Sequence, residues 1–426
     1  MGCSSSNIDQ NMSNKLSNKL SDKFGDEDRV DTLNIANGIE YKFKQYNFTS
    51  DEPNKCLIAY TLSEDKDSDF YEGSNPNNHC KQTLKFKSSD HNIAIYYSKG
   101  SKEKNQDKFF LIINDQLEIY CVVDGHGPYG DILAQITENL CFEYFSDNSK
   151  FDIDAFDESY ENEFNVLFDN INKKLIEDNP YSDNKSTSNI DNNNNKNQKY
   201  DAILSGCSLT LVVKIGIHIY HANVGNILAY LWTYEDNILN CTNVTQLSFD
   251  DSNFNMELIN GNQDSIKNEE YYNSNKTKTK FIYNHLIQPN KIDEEIRRIY
   301  EHKGEARNLS DNGKCRIFMK GKYFPGIINT RSLGDLVASS IGCINTPHIT
   351  KTDLIPGNKY YLLIISDGIN DKLKIYNFIN TFQEKGLLLL ESLTQAVTYC
   401  KNIYQDNGYL PDMTGIIKEI TQIDDN

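Results

Sequence analysis

Residues 117–127 read Leu-Glu-Ile-Tyr-Cys-Val-Val-Asp-Gly-His-Gly, an apolar β-type run that stops at an acid, two glycines and a histidine. A strand of this composition is expected to be buried, so Asp124 should emerge at its end beside backbone that Gly125 and Gly127 leave open to close approach. Hard divalent cations prefer carboxylate and carbonyl oxygens, and an adjacent imidazole such as His126 can move protons. The segment therefore favours metal-assisted hydrolysis, although alone it also fits an ordinary strand that ends in a glycine turn.

Similar strand-like runs with polar ends recur along the chain. Residues 359–368 form a second apolar run that closes on Ser-Asp-Gly, and Asp371 lies three residues beyond it. Earlier in the chain, Asn-Gln-Asp at 105–107 precedes the apolar run 109–113. Three further polar motifs lie between these two regions: Gly-Cys-Ser-Leu-Thr (206–210), Ala-Asn-Val-Gly-Asn (222–226) and Thr-Arg-Ser-Leu-Gly-Asp (330–335). Six segments in a fixed order are far more specific than any one of them.

In this order, the segments closely resemble the motifs of the type 2C protein phosphatases, the metal-dependent Ser/Thr phosphatases. Members of that family carry an acid or amide before an early Asp, then Asp-Gly-His-Gly, Gly-Ser-Thr-Ala, Ala-Asn-Val-Gly-Asp, Arg-Ser/Ala-Leu-Gly-Asp, Ser-Asp-Gly and a final Asp-Asn/Asp-Ile/Met-Thr. Residues 294–299 also resemble the Glu-x-x-Arg-Ile start of a family helix. The resemblance covers roughly residues 90–420.

This resemblance implies an α+β fold in which two antiparallel β-sheets form a central sandwich flanked by helices. The residue pattern favours the same class, because strand-like and helix-like stretches occur in separate runs. Three strands between 209 and 232 are expected to be antiparallel neighbours, since short glycine-bearing connections join them. The other expected elements are a first core strand at 92–97, a helix capped by Asp131 through about 146, a helix over 154–177, a strand at 359–365, helices at about 372–383 and 387–405, and a last strand at 414–420.

The distribution of polar residues suggests how the chain is divided. We expect a flexible N-terminal arm at 1–35, a polar lead-in at 36–89 and one type 2C phosphatase-like domain at 90–422. Asn-rich, low-complexity inserts interrupt that domain near 179–199 and 252–290, and neither composition supports a packed core.

Charge and cysteine content exclude several classes of protein. The formal net charge of −18 argues against binding of nucleic acid by the bulk surface. The ten cysteines form no C-x-x-C pair and follow no signal peptide, so reduced thiols in the cytosol are expected. No apolar run approaches the ~20 residues needed to span a bilayer.

The resemblance implies a role for each matching residue near the strand ends. Asp124 would bridge two Mg²⁺ or Mn²⁺ ions, while the Gly125 carbonyl would hold one ion and Asp367 the other. His126 would act as the general acid that protonates the leaving alkoxide, and Asp107 would orient metal-bound water.

Four more positions take their expected roles from the same comparison. Gln106 matches the polar residue before the early Asp and counts among the metal-site residues. Lys102, five residues before Asp107, would bind phosphate, although lysine lacks the bidentate fork of the usual arginine. Asp371 lies where an acid close to the metals, or one that binds a third ion, is found. Asp412 is the acid available at the final motif.

Two departures from the family pattern weaken the expected metal site. Asn226 replaces the acid of Ala-Asn-Val-Gly-Asp that is associated with a third, weaker ion, so a third ion is not expected. In a gap-free alignment, Pro411 replaces a metal-ligand Asp, and one ion loses an anionic ligand unless Asp412 takes its place.

The N-terminus reads Met-Gly-Cys-Ser-Ser-Ser, which matches the N-myristoylation pattern with Gly2 as acceptor. A single myristoyl chain binds membranes only marginally, whereas palmitoylation of Cys3 would make the anchor stable. The pattern therefore predicts the cytoplasmic face of a membrane, and otherwise the cytosol. A disordered Ser-rich start is the alternative interpretation.

Two functions remain open at this point. One is a membrane-anchored, Mg²⁺/Mn²⁺-dependent phosphatase that acts on phosphorylated proteins. The other is a weakly active or inactive phosphatase-like domain that binds phosphoproteins or scaffolds a complex at a membrane. Retention of Asp124, His126 and Asp367 favours the first, while Asn226 and Pro411 favour the second.

Overall fold

The computed structural model describes residues 30–32, 42–48, 54–60, 83–88, 92–147, 150–177, 200–235, 240–246, 282–285, 290–308, 315–406 and 408–421. The predicted insert at 179–199, most of the insert at 252–290, and the N-terminal residues Gly2 and Cys3 lie outside these described residues.

The described elements comprise strands and helices in separate groups along the chain. The strands are β1 (Val30–Thr32), β2 (Lys42–Phe48), β3 (Asn54–Tyr60), β4 (Thr83–Ser88), β5 (Ile93–Ser98), β6 (Asp107–Ile113), β7 (Leu117–His126), β8 (Gly206–Ile215), β9 (His218–Val224), β10 (Leu228–Glu235), β11 (Asn240–Gln246), β12 (Ile282–His285), β13 (Gly304–Asn308), β14 (Cys315–Met319), β15 (Pro325–Ile327), β16 (Leu333–Gly334), β17 (His348–Asp353), β18 (Lys359–Ile365) and β19 (Met413–Thr421). The helices are α1 (Gly130–Ser146), α2 (Ile153–Glu177), α3 (Asn290–Glu301), α4 (Leu336–Ser339), α5 (Asp367–Asn370), α6 (Ile375–Glu384) and α7 (Leu389–Gln405).

Two large sheets form the centre of the molecule. The first has the order β1-β2-β3-β6-β7-β8-β9-β17, with β16 paired to β8, and the second has the order β12-β11-β10-β18-β19-β5-β4. Neighbouring strands are antiparallel except for β11 and β12, which are parallel. A separate small sheet contains β13, β14 and β15. The expected α+β sandwich is confirmed.

The strands β6 and β7 are mostly apolar because both faces of the first sheet are covered. Phe109 and Val122 point into the core between the two sheets, where they meet residues such as Ile364 of β18. Their neighbours Phe110 and Val123 point the other way and pack under α1 and α2. Successive side chains on a strand face opposite sides, so a strand in an inner layer is apolar on both faces over most of its length.

Helices cover the outer face of each sheet. On the first sheet, the buried positions of α2 are those that the helical pattern predicted: Phe156, Phe164, Leu167, Phe168, Ile171 and Leu175. On the second sheet, α6 and α7 pack around Trp232, whose ring lies against Phe378 and Phe382. The molecule is therefore layered as helices, sheet, sheet and helices.

The sheets begin earlier in the chain than expected. Strands precede the core strand expected at 92–97, because β2 and β3 extend the first sheet and β4 pairs with β5 in the second. These segments lie in the region that the sequence indicated was a polar lead-in. The strands β2 and β4 mix apolar residues with Lys, Gln, Asn and Thr, a composition that suits strands near a sheet edge but resembles a loop in sequence.

Two local expectations also need correction. The segments β8 and β9 are antiparallel neighbours as predicted, but β10 belongs to the second sheet, where it pairs with β18. The short connection at Gly225 therefore carries the chain from one sheet to the other. Asp131 lies in the first turn of α1 rather than at its cap, which is Tyr129, and its carboxylate pairs with Lys104 at 2.8 Å.

Within the described ranges, no helix combines the length and apolar character that a membrane-spanning segment requires.

Candidate active site

Three carboxylates meet at one end of the sandwich. The register of the first sheet places Asp107 of β6 directly opposite Asp124 of β7. Asp367 begins α5 just after β18 of the second sheet. Asp107 Oδ2 joins the two sheets, because it accepts hydrogen bonds from Ser366 Oγ at 2.8 Å and Thr414 Oγ1 at 2.7 Å. Sequence reasoning placed all three acids at a common site, and the fold brings them together.

The carboxylates repel one another inside a poorly solvated site. Burial raises the pKa of Asp124 well above its usual value, and the nearby charges of Asp367 and Asp107 raise it further. Burial also raises the pKa of Asp107 to about 7, with Asp412 and Asp367 adding to the effect, while the hydrogen bonds from Thr414 and Ser366 lower it. A cation placed among these groups would relieve the repulsion.

The donor set fits a hard divalent cation. Asp124 Oδ2 is buried and has no hydrogen-bond partner, which is costly for a carboxylate unless another group contacts it. Oxygen ligands from several carboxylates are what Mg²⁺ and Mn²⁺ prefer. Within the described ranges, no three His, Cys, Asp or Glu side chains converge closely enough to form a ready-made metal cluster.

Close packing, and not a turn conformation, requires a glycine at position 125. A Cβ at this position would lie 2.1 Å from the carbonyl oxygen of Gly130, so a side chain would push the start of α1 away. The Gly125 N–H donates to the Gln106 carbonyl at 3.0 Å. The Gln106 side chain in turn donates to the Gly127 carbonyl at 3.0 Å and accepts from Lys102 Nζ. Gly125, Gln106 and Lys102 thus lie together beside Asp124.

His126 is oriented by an acid that sequence reasoning did not assign. Its Nε2 lies 2.6 Å from Asp335 Oδ2, and that same oxygen accepts a hydrogen bond from Ser332 Oγ at 2.6 Å. Burial lowers the pKa of His126, but the Asp335 carboxylate outweighs this effect and raises the pKa above its usual value. The motif at 330–335 was recognisable in the sequence, yet nothing in it indicated that its acid contacts His126.

Asp412 holds the segment that carries Lys102. Its Oδ1 accepts the Gly100 N–H at 2.7 Å and its Oδ2 accepts the Gln106 N–H at 2.9 Å. Burial raises the pKa of Asp412, although these two backbone hydrogen bonds lower it. The carboxylate is therefore engaged on both oxygens, and its role as a metal ligand stays a prediction.

We expect Asp412→Asn to raise the KM for a phosphopeptide by about tenfold while the Mn²⁺ dissociation constant changes little. The amide has one acceptor oxygen, so one of the two backbone N–H groups loses its partner and the Lys102 segment loosens. Steady-state kinetics and isothermal titration with Mn²⁺ measure the two effects. Asp406→Asn, at an exposed helix end, is the matched control. A selective loss of Mn²⁺ affinity would instead establish Asp412 as a metal ligand.

Asp371 immediately follows α5, the short helix that Asp367 begins. Burial raises the pKa of Tyr404, and the charges of Asp371 and Asp367 add to this effect, which places both acids close to α7. The role of Asp371 beside the metals also stays a prediction.

A buried ion cluster fixes the segment that leads to Asp335. Glu295 of α3 contacts Arg298 Nη2 at 2.5 Å and Arg331 Nη2 at 2.6 Å, and it accepts a hydrogen bond from Thr330 Oγ1 at 2.8 Å. Burial would raise the pKa of Glu295, but the hydrogen bonds from Arg298 and Arg331 lower it to about 2. The family-like helix start at 294–299 therefore anchors the strand segment that positions His126.

Known proteins that resemble this chain in sequence include two that are named as phosphatases. No family model matches the chain. The Arabidopsis thaliana protein named "Probable protein phosphatase 2C 73" is 25% identical over 340 residues, covering 76% of this chain and 78% of that protein. A second Arabidopsis thaliana protein, "Probable protein phosphatase 2C 35", is 23% identical over 279 residues, covering 64% of this chain and 66% of that protein.

A solved structure supports the fold. The crystal structure of serine-threonine phosphatase 2C from Toxoplasma gondii superposes with a TM-score of 0.51 at 12% identity, covering 79% of this chain and 99% of that one. The chain therefore has the fold of the type 2C protein phosphatases and resembles members of that family in sequence.

Proposed function

We propose that this chain is a Mg²⁺- or Mn²⁺-dependent protein phosphatase that hydrolyses phosphoserine and phosphothreonine. The observation that carries the proposal is the meeting of Asp107, Asp124 and Asp367 at one end of the sandwich, with Asp124 Oδ2 buried and without a hydrogen-bond partner. Similarity to named type 2C phosphatases supports the same reaction class.

Each residue of the proposed site has a role that follows from its chemistry. Asp124, the Gly125 carbonyl and Asp367 would hold the ions, with Asp107 and Gln106 beside them. Two bound divalent ions would supply an activated water and offset the negative charge of the phosphoryl group. Lys102 would bind a phosphoryl oxygen through its ammonium group. His126 would carry a proton for the leaving serine or threonine oxygen, and Asp335 fixes the orientation of its ring.

The second candidate is a phosphatase-like domain that binds phosphoproteins with little or no turnover. Both oxygens of Asp412 accept backbone hydrogen bonds, and Pro411 offers no carboxylate. These two facts favour a site with one acid fewer than the family motif provides.

Hydrolysis of a phosphothreonine peptide by the purified chain separates the two candidates. Mn²⁺ is titrated to millimolar concentration and released phosphate is measured. Metal-dependent turnover that Asp124→Ala removes supports the enzyme. Saturable binding of the peptide without phosphate release supports the binding domain and rejects catalysis.

We also propose that Gly2 and Cys3 anchor the chain to the cytoplasmic face of a membrane through myristoyl and palmitoyl groups. Gly2→Ala is expected to move the protein from the membrane pellet to the supernatant, because it removes the acceptor amine for the first acyl chain. Fractionation of expressing cells measures the shift, with Ser4→Ala as the control. A wild-type protein found only in the supernatant would reject the anchor.

A further inference from the structure

The side chain of Asn226 bridges the two sheets beside the carboxylate cluster. It is 3% exposed and lies between Ser208 of β8 and Asp367 of α5. Asn226 Nδ2 donates to Asp367 Oδ2 at 3.3 Å, and Ser208 Oγ donates to Asn226 Oδ1 at 3.0 Å. Asn329 Nδ2 donates to Ser208 Oγ at 3.1 Å. Three neutral side chains thus form one chain of hydrogen bonds that ends on Asp367.

The donor and acceptor roles along this series of hydrogen bonds follow from the Asp367 carboxylate at its end. An ionised carboxylate only accepts hydrogen bonds, so Asn226 must turn its N–H₂ group toward Asp367. Its carbonyl oxygen then faces Ser208, and the Ser208 hydroxyl must donate to it. A lone pair of Ser208 Oγ accepts a hydrogen bond from Asn329 Nδ2. Each side chain therefore has one orientation that satisfies its neighbours.

Tight backbone packing holds the chain in place. Gly225 has a φ of +88°, and a Cβ there would lie 2.1 Å from Ser208 Oγ. Ser208 in turn lies directly opposite Asp124 in the register of β7 and β8. The hydrogen-bonded side chains therefore lie beside the two acids that the proposed function assigns to the metals.

We propose that Asn226 is a positioning residue, which holds Asp367 through its amide N–H. The inference rests on the proposed function, because it concerns the same carboxylates. The amide adds no charge to the site and directs one oxygen of Asp367.

Isothermal titration of Mn²⁺ into wild type and two variants tests the proposal. Asn226→Ala should weaken binding of one of the two ions by about tenfold, because a partner that orients a metal ligand typically contributes 10- to 100-fold to affinity. Asn165→Ala, at an exposed asparagine on α2, is the matched control and should leave the Mn²⁺ affinity unchanged.

Ser208→Ala provides a second variant that leaves Asn226 itself intact. It removes the donor that orients the amide, so Mn²⁺ affinity should fall in the same direction by a smaller factor. Thermal unfolding in EDTA shows whether each variant is folded. Asn226→Ala and Ser208→Ala proteins that both bind Mn²⁺ as wild type does would overturn the positioning role.

The binding measurement also separates this inference from the proposed function. If wild type binds Mn²⁺ with the expected dependence on Asn226 but releases no phosphate from the peptide, the proposed catalysis fails and the positioning role stands. If wild type hydrolyses the peptide and Asn226 variants bind Mn²⁺ normally, the positioning role alone fails. Absence of any Mn²⁺ binding by wild type rejects both.

Discussion

Replacing Asp124 with alanine is expected to reduce Mn²⁺-dependent phosphatase activity to background, a loss of at least about a thousandfold, or ~4 kcal/mol of transition-state stabilisation. Asp124 lies opposite Asp107 and close to Asp367, so its removal takes away the carboxylate that faces both. Phosphate release from a phosphothreonine peptide measures the effect. Asp115→Ala, at an exposed acid in the turn before β7, is the matched control.

Substitution of Asp124 should increase the thermal stability of the protein when stability is measured without metal. Asp124→Asn removes one of the repelling carboxylates, so the thermal midpoint in EDTA should rise by roughly 2 °C or more. Mn²⁺ should then stabilise wild type but not the variant, since only wild type binds the ion. A variant that is less stable than wild type in EDTA, yet still stabilised by Mn²⁺, would contradict the assignment of Asp124 to the metal site.

The parts of the fold that sequence reasoning predicted are those whose signal is local. A mostly apolar strand such as β7 has both of its faces buried, and the acid near its end is visible in the sequence itself. The spacing of the apolar residues of α2 likewise indicates one buried helix face. Asp124 and Asp367 were recognisable for the same reason, since each follows a buried strand.

The parts that were missed depend on contacts between distant segments. The hydrogen bond from the Gln106 N–H to Asp412 joins residues separated by 306 positions, and the bond between His126 and Asp335 spans 209. No local pattern marks such a partner, because a buried acid and an exposed one look the same in sequence. The strand β2 was missed for a related reason, since its mixed polar composition carries no clear signal of burial or exposure.

Loss of the buried charge on Glu295 is expected to destabilise the folded protein by about 3 kcal/mol at pH 7. In Glu295→Gln, two partly buried arginines, Arg298 and Arg331, keep their charges but lose the carboxylate that pairs them. A pKa that falls from 4.5 to about 2 on folding corresponds to a stabilisation of the same size. Urea unfolding in EDTA, followed by fluorescence of the buried Trp232, measures the change. Glu294→Gln, at the exposed neighbouring residue, should have little effect.

The dependence of this difference on pH distinguishes a charge effect from a packing effect. Because the pKa of Glu295 is lower in the folded state, its stabilisation is complete above about pH 4.5 and is lost as the pH falls toward 2. The gap in unfolding free energy between wild type and Glu295→Gln should therefore narrow from about 3 kcal/mol at pH 7 to about 1 kcal/mol at pH 3. Other acids, such as Asp107, titrate in both proteins, so their contributions cancel in the comparison. A gap that stays constant between pH 7 and pH 3 would mean that the variant is destabilised by altered packing, and the paired charge of Glu295 would not be what holds the 330–335 segment against His126.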